Sequence, residues 1–146
     1  MGKEKSEGGP GQRRIVSLIL PVLTKNTTTY YGLMAVERAI RIKKIEVAFY
    51  VLPASAAGTV LANVYNWDVS AGADDALQET ADFDLEVANM TAKVAKEIPV
   101  QTTTLANVND IVAGDFIYLK VVSNNNDMTD GSGGVITLEY ELVPPE

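Results

Sequence analysis

The sequence predicts an all-β fold: a single antiparallel β-sandwich of jelly-roll or Greek-key type with an extended N-terminal arm. Three observations carry this. Apolar residues recur at period two in short runs, turn signals rich in Gly, Asn, Asp and Pro separate those runs, and helical periodicity never lasts beyond about two turns. A chain of 146 residues suits one domain with one core. The long polar loops in its middle favour jelly-roll or Greek-key crossovers over a simple meander, and no fixed-period repeat suggests a solenoid.

Residues 1–14, "MGKEKSEGGPGQRR", hold no large apolar side chain after Met1 and build no core, so they form the expected arm, with the sandwich in 15–146. "RIVSLILPVL" is rich in Ile, Val and Leu and reads as a strand, bent or at a sheet edge at Pro21. In "TKNTTTYYGLMAVERAI" the Thr and Tyr residues favour extended chain, while "LMAVERAI" allows a helical turn. "IKKIEVAFYVLP" gives the clearest strand, with Ile45, Val47, Phe49 and Val51 on one face. Ile40 and Ile42 have the opposite parity, so a bulge near Lys43–Lys44 is needed to keep both sets inward. "TVLANVYNW" is the next strand, with Val60, Ala62 and Val64 on one parity and Leu61, Tyr65 and Trp67 on the other. "DVSAGADDALQET" reads as a polar loop and "ADFDLEV" as an alternating strand. "ANMTAKVAKE" is the best helix candidate, limited to about two turns by Pro99. "IPVQTTTLANV" reads as extended, and Ala113-Gly114-Asp115 as a tight turn into a strand with Ile117, Leu119 and Val121 alternating. A polar loop over 123–134 leads to the last strand, in which Ile136, Leu138, Tyr140 and Leu142 face inward.

Composition narrows the function. Without cysteine or histidine the chain lacks the commonest metal ligands, the usual neutral-pH general base and any Ser-His or Cys-His pair. It is expected not to be an enzyme and to need no cofactor or metal. The net charge of −7 argues against a nucleic-acid surface. Residues 1–14 carry +2 of their own, which leaves −9 on the body, so a basic arm hangs from an acidic domain. No stretch approaches the eighteen or so apolar residues of a membrane span. "MGKEKS" fits a myristoylation pattern, but one acyl chain anchors only marginally and no membrane partner is expected.

Candidate constellations read more simply as structure than as chemistry. Asp82, Asp84 and Glu86 sit two apart, as a solvated strand face requires, and with Asp74 and Asp75 they form no recognisable acid/base pair. The stretch Asn126–Gly131 begins like a calcium loop but lacks the bidentate Glu that would complete it, and reads as a hairpin loop. Tyr30, Tyr31, Tyr50, Tyr65 and Trp67 are read as core or inter-subunit packing, with a sugar-stacking platform as the alternative.

The combination "GTVLANVYNWDVSAGADDAL", then "LANVNDIVAGDFIYLKVVSNNN", then "GGVITLEYEL" resembles the small β-sandwich and jelly-roll structural proteins of tailed bacteriophages. It covers roughly residues 40–142 and rests on the Ala113-Gly114-Asp115 turn, the strand after it, a polar loop and a terminal strand. The resemblance implies a capsid decoration, or cement, protein: a dimer or trimer on the outside of the virion shell, bound to the major capsid protein and assembled in the host cytoplasm. Lys3, Lys5, Arg13, Arg14, Tyr30 and Tyr31 are the expected partner-binding residues. The alternative is a head-fibre or tail-fibre tip that binds host glycans through Tyr65, Trp67 and the 123–134 loop.

Overall fold

A computed structural model of the chain describes residues 12–23, 25–54, 59–124 and 131–144. Its strands are β1 (Arg13–Leu20), β2 (Thr28–Ala35), β3 (Ile40–Val51), β4 (Val60–Asp68), β5 (Ala73–Ala76), β6 (Phe83–Asp84), β7 (Lys96–Glu97), β8 (Phe116–Ser123) and β9 (Ser132–Leu142), with a short helix α1 (Ala106–Asn109) between β7 and β8. Among the described residues they form two antiparallel sheets, one in the order β1-β9-β3-β7 and the other β2-β8-β4-β5, with β6 on β4. Apart from β6, the pairs are nested: β1 with β9, β2 with β8, β3 with β7 and β4 with β5. That nesting is a hairpin ladder rolled up on itself, a jelly roll, one of the two topologies the sequence allows.

Period-two patterning builds the core between the sheets. Val60, Ala62 and Val64 of β4 and Ile117, Leu119 and Val121 of β8 face Ile45, Val47 and Phe49 of β3 and Ile136 and Leu138 of β9, all buried. The parity conflict in β3 is resolved as expected. The β3–β9 register shifts between Ile42 and Lys44, so Ile40, Ile42 and Ile45 all reach the core.

Four local expectations are corrected. The helix expected over "ANMTAKVAKE" is absent: Lys93 takes a φ of 66°, its N–H donates to the Phe49 carbonyl at 2.8 Å, and Lys96–Glu97 pair with β3. Completing the open edge of β3 outweighs the helix propensity of three alanines. Conversely "IPVQTTTLANV" is not extended throughout, because α1 forms and turns Val108 into the core. The "polar loop" after β4 contains β5, reached by a tight turn in which Asp68 Oδ1 accepts from the N–H groups of Ser70 and Ala71 and Gly72 has a φ of 64°. The alternation expected in "ADFDLEV" stops after Asp84. Asp82 is left-handed at φ 63°, and Glu86 is buried while Val87 is exposed.

Beyond α1's N-terminus, one carboxylate organises the 101–104 loop. Glu79 accepts from the N–H groups of Thr102 at 2.5 Å and Thr103 at 3.1 Å, and from both threonine hydroxyls. These bonds, the Thr102 hydroxyl first, hold the carboxyl down from its ordinary 4.5 to about 2. A carboxyl depressed by folding stabilises the fold above its unfolded pKa and loses that contribution as pH falls toward the folded value. Glu79→Gln is therefore expected to speed amide exchange over 102–109 at neutral pH, and to flatten the loss of stability between pH 4.5 and about 2. Unchanged exchange in that segment would refute the assignment.

Candidate functional site

The outward parity of the β2-β8-β4-β5 sheet carries a concentration of aromatic rings. Because Val64 and Ile117 point inward, Tyr65, Trp67, Phe116 and Tyr118 point outward. The β4–β8 register sets Tyr65 opposite Tyr118 and Trp67 opposite Phe116, and the β4–β5 register sets Trp67 opposite Asp74. On the other side, β2 places Gly32 opposite Tyr118, with Tyr30 one outward step away. Tyr30, Gly32, Trp67, Asp74, Phe116 and Tyr118 line a concavity of about 470 Å³.

Tyr118 is its hub. The Tyr118 ring centroid lies 5.6 Å from that of Tyr65, 6.0 Å from that of Tyr30 and 6.0 Å from that of Phe116, the last stacked at 20°. Gly32 keeps the concavity open: a Cβ there would lie 3.0 Å from Phe116 Cζ. Trp67 is 40% exposed, so it is a surface ring and not a core one. Burial, and then a hydrogen bond to the Asp74 carboxylate, push the Tyr118 phenol well above its usual range, so it stays protonated and donates to Asp74. Burial and the nearby carboxylates of Asp68, Asp115 and Asp74 raise the Asp75 carboxyl, which marks this edge of the sheet as electronegative.

The expected contact residues are scattered. Lys3 and Lys5 lie outside the described residues, as do residues 125–130 of the 123–134 loop. Arg13 and Arg14, expected in the arm, belong to β1. Arg13 pairs with Glu139 across β9, while Arg14 lines a second groove with Met34, Ala35, Tyr140 and Leu142. Tyr30 and Tyr31 cannot act as a pair, since neighbours on a strand face opposite ways: Tyr30 is exposed and Tyr31 packs on the core. Asp82 and Asp84 do not share a strand face, because Asp82 accepts from Asn63 Nδ2 at 3.1 Å while Asp84 accepts from the Glu86 N–H at 2.8 Å. Sequence reasoning singled out Trp67, Tyr65 and Tyr30, weighed Asp74 only among the acidic residues, and passed over Phe116 and Tyr118. The signal for Phe116 and Tyr118 was present in their outward parity on β8.

No protein-family model matches the chain, and no curated protein matches it. Among solved structures, a chain of the cyanophage Pam1 capsid asymmetric unit is similar at a TM-score of 0.57 and 14% identity, over 97% of this chain and 93% of that one. A chain of the infectious bursal disease virus Gt strain structure aligns at a TM-score of 0.40 and 13% identity, with 99% of this chain spanning 42% of that one. The first likeness is one of fold, nearly end to end: this chain shares the β-sandwich fold of that capsid chain.

Proposed function

We propose that the chain is a structural, non-enzymatic virion protein that binds the outside of a phage capsid as a decoration protein and bridges its capsomers. The observation that carries this is the near end-to-end fold match to a chain of similar length in a phage capsid asymmetric unit. Two features of the surface agree with it. Ile15 and Ile19, 65% and 81% exposed, stand on β1, which among the described residues is an edge strand with its outer backbone groups open for pairing. The basic residues before and within β1, namely Lys3, Lys5, Arg13 and Arg14, adjoin that edge in sequence and supply the expected contact with the major capsid protein. Self-association as a dimer or trimer would cover the remaining apolar surface.

Since β1 starts at Arg13, the informative truncation removes only residues 1–11. Shells lacking the protein should bind the full chain, and the truncated chain should remain folded but bind about tenfold more weakly or worse, a loss of roughly 1.4 kcal/mol. Equal binding in a co-sedimentation titration would remove the arm from the contact. A copy number in purified virions far below that of the major capsid protein would remove the shell reading itself and favour a fibre.

A further inference from the structure

We propose that the aromatic concavity on the β2-β8-β4-β5 sheet accepts an organic cation, and that its occupant in the free chain is a lysine side chain of the chain's own amino-terminal segment, Lys3 or Lys5. The lining has the composition of a cation cage: Tyr30, Trp67, Phe116 and Tyr118 present aromatic surface, Asp74 supplies one carboxylate, and among the described residues no basic side chain lines it. Ring faces are electron-rich and attract an ammonium or guanidinium, Trp most strongly. Lys120 stands opposite Tyr30 in the β2–β8 register but is not part of the lining. The electronegative edge formed by Asp68, Asp74 and Asp75 favours the same ligand charge. This chain already uses the contact elsewhere, where the Lys93 ammonium sits 4.4 Å from the Tyr50 ring centroid. A neutral sugar is served less well, because the lining holds no amide or guanidinium to pair with its hydroxyls and the one carboxylate already accepts from Tyr118.

Connectivity names the occupant. With Arg13 and Arg14 in β1, residues 1–11 hold two ammonium groups, Lys3 and Lys5, balanced by Glu4 and Glu7, ahead of a remainder of net charge −7. The chain enters β1 at Arg13, and Arg14 lines a groove with Ala35, whose register partner is Phe116 in the wall of the cage. Adjacent strands are about 4.8 Å apart, so the entry point and the wall share one end of the sandwich. Seven Cα-to-Cα steps lead from Lys5 to Gln12, a reach of about 23 Å when extended. Tethering also gives the segment an effective concentration on the order of millimolar, which favours its own chain over a second copy. The inference concerns the free chain and does not depend on the capsid reading.

Trp67 is the only tryptophan, so its fluorescence reports this site alone. Acrylamide quenching of the full chain is compared with that of Lys3→Gln/Lys5→Gln, whose substitutions lie outside the described residues. The double variant is expected to raise the Trp67 quenching constant at least about twofold. A synthetic peptide of residues 1–14 should restore protection to the variant, and the same peptide with both lysines acetylated should not. Asp74→Asn in the full chain should expose Trp67 in the same direction. Equal quenching of the full chain and the double variant overturns the proposal, as does equal protection by the acetylated peptide. Protection by methyl glucoside without protection by the peptide also overturns it and makes the concavity a glycan site.

Discussion

Replacing Asp115 by alanine is expected to lower the unfolding free energy by about 3–5 kcal/mol, a large part of the roughly 5–15 kcal/mol typical of a domain. The carboxylate is 2% exposed and holds three donors. Its Oδ2 accepts from Asn66 Nδ2 at 3.0 Å and from the Val112 N–H at 3.1 Å, and its Oδ1 accepts from the Val69 N–H at 3.1 Å. The Asp115 carbonyl also accepts from the Val36 N–H at 3.0 Å, so the residue ties the end of β2, the β4–β5 turn and the turn before β8 into one corner. Alanine would leave three donors without an acceptor, each costing about 1–3 kcal/mol and together less than additively. Asp115→Asn keeps one carbonyl acceptor and should cost about half as much. Urea unfolding with an unchanged m-value measures both. A loss under about 1 kcal/mol for alanine, or equal losses for the two variants, would show that the corner is held by its backbone bonds alone. The corner also sets the pairing of Trp67 with Phe116, so Asp115→Ala should disorder the aromatic concavity before the core melts.

That residue shows what was legible in the sequence. Ala113-Gly114-Asp115 reads as a turn because Gly114 relieves a φ of 98°, and the strand after it reads from its alternation. The role of the carboxylate is invisible there, because its three partners come from β4, the β4–β5 turn and its own turn, and only the folded corner brings them together. The jelly roll itself was legible wherever one face of a strand is buried. The bulge at Ile42–Lys44 follows from the parity of three isoleucines alone. Local propensity misled where a short segment is held by partners distant in sequence. Residues 88–97 close the edge of β3, and Thr102 and Thr103 are fastened by Glu79. The site divides in the same way. Outward parity marked Tyr65 and Trp67, but the register that adds Phe116, Tyr118 and Asp74 belongs to strand pairing, which a single strand does not encode.

Gly134→Ala is expected to destabilise the fold by about 2–3 kcal/mol, although alanine is the better strand residue by roughly 0.5–1 kcal/mol. Gly134 pairs with Phe49 on β3 and with Leu20 on β1, and the Phe49 ring lies against it. A Cβ at 134 would fall 2.5 Å from Phe49 Cε2 and 2.8 Å from Cδ2, distances that real Cβ atoms essentially never show. The ring has nowhere to yield, because Phe49 is fully buried in the cluster that holds Leu20, Leu23 and Ile136. Relief must come from β9 moving off β3, and β9 is the strand on which β1 is paired along its whole length. The substitution should therefore loosen β1, with Arg13 and Arg14, more than the second sheet, and amide exchange over 13–20 should accelerate ahead of 60–67. A double-mutant cycle with Phe49→Leu isolates the clash, since the smaller side chain gives the new methyl room. A coupling of about 1–2 kcal/mol is expected, with the double variant more stable than the sum of the single losses. Additivity within about 0.5 kcal/mol would place the cost in the backbone of β9 and not in the ring.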